Sequence, residues 1–244
     1  MNRQAQAALL FLVGGAVLHA GFTDLYLRYV KAGLRPLLLV AGIVLIVAAI
    51  ATVWYEWRQP REAEANQPAR EHQDRRSHAH HEPRISWLLV LPLFALILVA
   101  TPALGSYSAM RTGTALQKPW GFPALPAGDP LPLSVVDYAG RAVYDHGHAL
   151  DDRQIKITGF ITLDRNGAPY LTRMVLNCCA ADAQPVKVGL TGQIPPVLAP
   201  DTWLEVIGTY TAKQTKDPVN DGVIPFINIS QARPVPAPHN RYED

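Results

Sequence analysis

Apolar residues crowd the first hundred positions of the chain, where three long runs occupy residues 7–27, 37–55 and 85–104. Each is close to the roughly 20 residues that a helix needs to cross a ~30 Å hydrocarbon core. The middle run, Leu37-Leu38-Leu39-Val40-Ala41-Gly42-Ile43-Val44-Leu45-Ile46-Val47-Ala48-Ala49-Ile50, is apolar on every side. A helix in a soluble core would instead show a polar face at helical spacing. The first run continues through Leu25-Tyr26-Leu27 and a second full-length run follows it, whereas a signal peptide has an apolar stretch of only about 7 to 15 residues. The pattern therefore predicts a three-helix transmembrane region, with two helices in residues 1–55 and a third in 85–105. His19 and Asp24 are the polar interruptions of the first run. Asp24 can reach interfacial water, while His19 lies deeper and needs a protein neighbour. Gly14, Gly15 and Gly21 would let another helix approach closely.

Two polar stretches divide the chain further. Residues 56–84 alternate acids and arginines, contain Pro60, Pro68 and Pro83, and show no hydrophobic periodicity, which is the composition of a linker that cannot fold alone. Residues 106–132 form a second linker, in which Pro119, Pro123, Pro126, Pro130 and Pro132 favour an extended, semi-rigid spacer holding the last domain away from the bilayer.

From residue 133 to 244 short alternating runs broken by turn signals predict an all-β domain. The expected strands are 154–163, 170–176, 186–190, 203–210 and 224–229, with Asp164-Arg165-Asn166-Gly167 as a hairpin turn between the first two. Five short strands suggest a small closed or partly open barrel, OB-like in the first instance. An immunoglobulin-type sandwich, the runner-up, would want about seven. Gly159 and Gly208 interrupt good strands, as the tight bends of a small barrel require.

A formal net charge of +2 and the absence of a single basic patch argue against a nucleic-acid partner. The arginines do bear on orientation, because cytoplasmic loops carry the excess of basic residues. Arg58, Arg61, Arg70, Arg75, Arg76 and Arg84 lie between the second and third runs, against Arg28, Lys31 and Arg35 between the first and second, and Arg111 and Lys118 after the third. This balance predicts a multi-pass cell-membrane protein with an inside N-terminus and an extracytoplasmic C-terminal domain.

The sharpest chemical feature is Cys178-Cys179, the only cysteines, with Asp182 four positions after the first. Two thiols and a carboxylate so close together could bind a soft or borderline divalent metal such as zinc, with His146 and His148 as candidate further ligands on one face if that segment is extended. A vicinal disulfide is the second possibility, and a structural role with one cysteine packed in the barrel is the third. His78, His80 and His81, preceded by His72, form a candidate metal-capturing cluster in the first linker; incidental histidines in a solvated linker explain it better, since neighbouring arginines repel cations. Asp151-Asp152 and residues 217–221 look like turns. No Ser-His-Asp set, phosphate loop or paired-carboxylate site stands out, so nothing demands an enzyme.

Arg173 followed by Cys178-Cys179-Ala180-Ala181-Asp182-Ala183, the approach from Tyr29-Val30 to Pro36, Gly159-Phe160, the 203–209 strand and the 234–242 tail together resemble a bacterial family of unknown function, the YcgQ-type predicted permease subunits. The resemblance spans nearly the whole chain. It implies a partnership with a separate multi-helix permease, alongside metal-homeostasis proteins, and no established activity. The expected function is an accessory membrane subunit whose β domain binds or gates a solute, with a metal ion as the candidate. The competing expectations are a membrane-tethered thiol protein using Cys178 and Cys179, and a structural anchor whose barrel recognises a protein or an envelope polymer.

Overall fold

The structure, a computed structural model, describes residues 3–58, 103–150 and 152–243. The histidine-containing linker, His78, His80 and His81 with it, and the third apolar run up to residue 102 lie outside the described residues. The chain divides into two compact units, Met1–Tyr26 with Gly33–Thr101, and Leu27–Ala32 with Pro102–Asp244.

In the first unit, α1 (Arg3–Phe22) packs against α2 (Arg35–Arg58). Small residues set the spacing: a Cβ on Gly42 would come within 2.7 Å of Leu18 Cγ, and one on Gly14 within 3.0 Å of Ile46 Cδ1. Among the described residues one stretch, Ala32–Tyr55, is helical, long and apolar enough to cross a membrane, with mean hydropathy 2.8. Its Leu37, Val40, Ile43, Val44, Val47, Ile50 and Val53 all point outward and are exposed, an arrangement that is costly in water and suited to lipid.

The expectation of three spans is thus corrected for the described part of the chain. The first run does form a helix, but its apolar stretch Gln6–Phe22 is shorter. The helix ends at Phe22, the Thr23 hydroxyl donates to the His19 carbonyl at 2.8 Å, and Asp24–Arg28 follows as a separate 3-10 helix. Polar Asp24 and Arg28 therefore lie outside α1.

The second unit is built on a five-strand closed barrel, consistent with an OB-like barrel. Its strands are β2 (Ile155–Leu163), β3 (Pro169–Val175), β4 (Gln184–Gly192), β5 (Trp203–Lys216) and β6 (Val223–Pro234). Pairing runs β2-β3-β4-β6-β5 and back to β2, antiparallel throughout except for β4 with β6. Two short strands, β1 (Leu131–Pro132) and β7 (Tyr242–Glu243), add in parallel to β2 and β3. The β2–β3 hairpin closes as its sequence dictates: Asp164 Oδ1 accepts from the amides of Asn166 and Ala168, and Gly167 has φ +82. Gly208 sits at a register shift between β5 and β6, and a Cβ on Gly159 would meet the Thr172 carbonyl oxygen at 2.8 Å.

A helix that the alternating pattern concealed, α4 (Val135–Tyr144), buries Val135, Tyr138, Ala139 and Ala142 in the barrel core beside Ile155, Ile157, Val188, Val206 and Ile227. Ser134 caps it by accepting from the Asp137 amide at 2.9 Å. Upstream, the short helix α3 (Ser106–Arg111) buries Ala109 against Phe160, Met174, Leu176 and Tyr242. Residues 112–115 then run along β4, where Ala115 N donates to the Pro185 carbonyl at 2.9 Å.

The proline-rich stretch is therefore a strap fastened to the barrel rather than a free spacer. Tyr144 donates to the Leu116 carbonyl, Arg141 donates to the Pro123 carbonyl with Phe122 against its guanidinium, and Leu131 joins the sheet. Proline stiffness makes a chain extended; hydrogen bonds along its length decide where it lies.

Candidate functional site: a cysteine loop at the end of a barrel strand

After β3 the chain leaves the barrel through Asn177 and enters a single 3-10 turn, Ala180–Asp182. Asp182 organises the turn. Its carboxylate accepts from the amides of Asn177 (3.1 Å), Cys178 (2.8 Å) and Cys179 (3.4 Å). These bonds fold the loop back on itself and bring the two thiols to the carboxylate: the Sγ atoms of Cys178 and Cys179 and an oxygen of Asp182 all lie within 4.8 Å of one another. Cys178 is exposed and Cys179 half-buried, and both are free thiols.

The electrostatics follow from this closeness. A hydrogen bond to the Asp182 carboxylate, reinforced by Cys179, pushes the Cys178 thiol up to about 11. The same thiol, together with the three amides, holds Asp182 below its ordinary value. The hydrogen bond to Asp182 thus disfavours loss of the Cys178 proton. A thiophilic cation would replace that proton, and the donor set of two sulfurs and one oxygen fits a borderline metal such as zinc while leaving a coordination position open.

A second segment holds the outer edge of the loop. Val30 forms an antiparallel bridge with Cys179, Lys31 N donates to the Cys178 carbonyl at 3.1 Å, and Ala180 N donates to the Tyr29 carbonyl at 2.7 Å. Residues 27–32, which connect α1 to α2 along the chain, belong to the same compact unit as the barrel. Tyr242 reinforces the arrangement: its hydroxyl donates to the Arg28 carbonyl at 3.0 Å and accepts from Leu104 N at 3.1 Å.

The structure does not bring the proposed histidine ligands into this group. His146 and His148 are exposed in the turn that follows α4. That turn is tight, with positive φ at His146 and Gly147, so the extended geometry that would align the two rings is not present.

Two buried ionic networks join residues far apart in the sequence, which residue spacing does not announce. Arg173 on β3 lies 3.2 Å from the Glu243 carboxylate, donates to the Tyr242 carbonyl and stacks over Trp203 at 4.9 Å. Glu243 in turn accepts from the first amides of α4, Val135 and Val136. Burial raises the Glu243 carboxyl, and Arg173 opposes that rise. On the adjacent strand β4, Lys187, opposite Thr172 in the β3–β4 ladder, pairs with Asp217 at 2.8 Å, both side chains almost fully buried. Asp217 also accepts from Thr114 N, and Lys187 donates to the Thr112 carbonyl. The aspartate read as a turn residue does shape its turn, accepting from Val219 N, yet its larger role is to fasten residues 112–114 onto the barrel.

OB barrels bind oligonucleotides and oligosaccharides on their second and third strands and neighbouring loops, here β3, β4 and residues 217–222. Residues 112–115 already cover part of that surface. A cleft of about 460 Å³ beside α3, lined by Phe160, Trp203, Asp201 and Arg241 among others, has its Asp201 carboxylate already engaged by the Ser106 amide and hydroxyl.

Neither a curated protein nor a solved structure matches the chain. Residues 138–243 match the family model described as the DUF1980 C-terminal domain, so the barrel, the cysteine loop and the tail are similar to the C-terminal domain of that uncharacterised family.

Proposed function

We propose that the chain is a membrane-anchored accessory subunit whose barrel presents Cys178, Cys179 and Asp182 to a thiophilic divalent cation, zinc first among them. In this reading the cation is cargo, exchanged with a separate multi-helix permease. The observation that carries it is the convergence of two thiols and a carboxylate within 4.8 Å on an accessible loop. Three protein donors with an open position suit a site that must release its ion, whereas closed structural zinc sites use four. An outward-facing apolar α2 supports the membrane anchor, and the arginine balance between the apolar runs supports an extracytoplasmic barrel.

The competing thiol reading calls for a lowered thiol pKa, whereas the hydrogen bond to Asp182 raises that of Cys178. The anchor reading expects Cys178→Ser with Cys179→Ser to be silent. Deleting the chain from its host and measuring cellular metal content tests the transport role. A changed zinc content is expected, and an unchanged content with unaltered growth in limiting and excess zinc would refute it.

A further inference from the structure

The cysteine loop is held from two sides by different parts of the chain. Asp182 gathers the amides of Asn177, Cys178 and Cys179 from within. From outside, the main chain of Tyr29, Val30 and Lys31 pairs with Cys178, Cys179 and Ala180. Almost 150 positions separate the two partners along the chain, so this pairing is tertiary and can be made or lost independently of the local turn. It bonds the carbonyl of one candidate ligand residue and the amide that follows the other. The backbone sets the direction of each Cα–Cβ bond and restricts the rotamers open to it, so whatever fixes those peptide planes narrows the positions the two sulfurs can take.

We infer that the connection between α1 and α2 preorganises the cysteine site, and that cation binding in turn tightens this connection, so that occupancy is communicated to the segment joining the two helices. The inference rests on the metal reading above and adds its regulation. The reciprocity is thermodynamic: if the Tyr29–Lys31 pairing raises cation affinity by some factor, the bound cation stabilises the pairing by the same factor. No large movement is required, only a difference in how often the pairing is open with and without the ion. An accessory subunit needs such a link if it is to report loading to membrane-embedded machinery.

The test uses the full chain in detergent micelles, with cadmium as the probe because its thiolate complexes absorb in the ultraviolet. Lys31→Pro removes the N–H that donates to the Cys178 carbonyl, and Lys31→Ala keeps it. Lys31→Pro is expected to weaken cadmium binding at least tenfold, with Lys31→Ala within about twofold of the unaltered chain. Because proline can also disturb the start of α2, amide hydrogen exchange of the unaltered chain supplies a second measurement: cadmium should slow exchange at Lys31 and Ala180 at least tenfold. Cadmium bound with unchanged exchange at both amides, and with Lys31→Pro binding normally, would overturn the coupling and leave the metal site standing. No cadmium bound by the unaltered chain would overturn both.

Discussion

Loss of a single buried charge is costly to the barrel, because its partner is left unpaired away from water. Glu243 is nearly buried, neutralises Arg173 and closes the N-terminus of α4. Removing one partner of a buried ion pair leaves the other charge uncompensated, typically at about 3–5 kcal/mol. Glu243→Ala is therefore expected to lower unfolding free energy by roughly that amount, measured by urea titration; a loss under about 1 kcal/mol would show that Arg173 finds water or another acceptor. Tyr138 gives a pH-dependent prediction. Burial, with a smaller contribution from Tyr210, raises its phenol above the ordinary 10.0. The folded state then holds the proton more tightly than the unfolded state. Its contribution is fully present below pH 10.0 and fades as pH climbs beyond it. Tyr138→Phe should lose about 1 kcal/mol at neutral pH with the hydrogen bond to the Phe226 carbonyl, yet show a shallower alkaline decline in melting temperature.

At the scale of elements, the strands were legible because alternation, the 164–167 turn and the interrupting glycines Gly159 and Gly208 all agreed with the barrel. The helix α4 carries sequence signals of its own that the surrounding pattern masks. Ser134 as cap, Asp137 three residues on, and apolar 135, 138, 139 and 142 form a helical signature, but it follows directly on a proline-rich stretch and precedes a strand. The convergence of Cys178, Cys179 and Asp182 could be anticipated from their closeness in sequence. The pairing of residues 29–31 with the cysteine loop could not, because backbone hydrogen bonds between distant segments leave no trace in side-chain pattern. Nor could the Lys187–Asp217 pair, whose members look like an ordinary strand lysine and a turn aspartate. That pair locks residues 112–114 to the barrel, so Lys187→Met should destabilise by about 3–5 kcal/mol, whereas Lys187→Met with Asp217→Leu should cost clearly less than the sum of the single changes. Additive losses in a double-mutant cycle would contradict a direct buried pairing.

The whole molecule combines an apolar helix suited to lipid with a barrel along which residues 112–115 of its own chain are fastened, and it leaves Cys178 exposed. Anchoring is checked by alkaline washing of membranes: the chain should stay with the bilayer, and release into the wash would contradict the role given to α2. The cation site is checked most directly by its stoichiometry. Purified full-length chain, loaded with zinc and desalted, is expected to retain about one equivalent at pH 8 and less as the pH falls toward 6, since thiols must give up protons to bind. Cys178→Ser with Cys179→Ser should retain none while melting at a similar temperature. Zinc retained equally by the double variant, or by neither protein, would contradict the assignment of Cys178, Cys179 and Asp182 as a cation site.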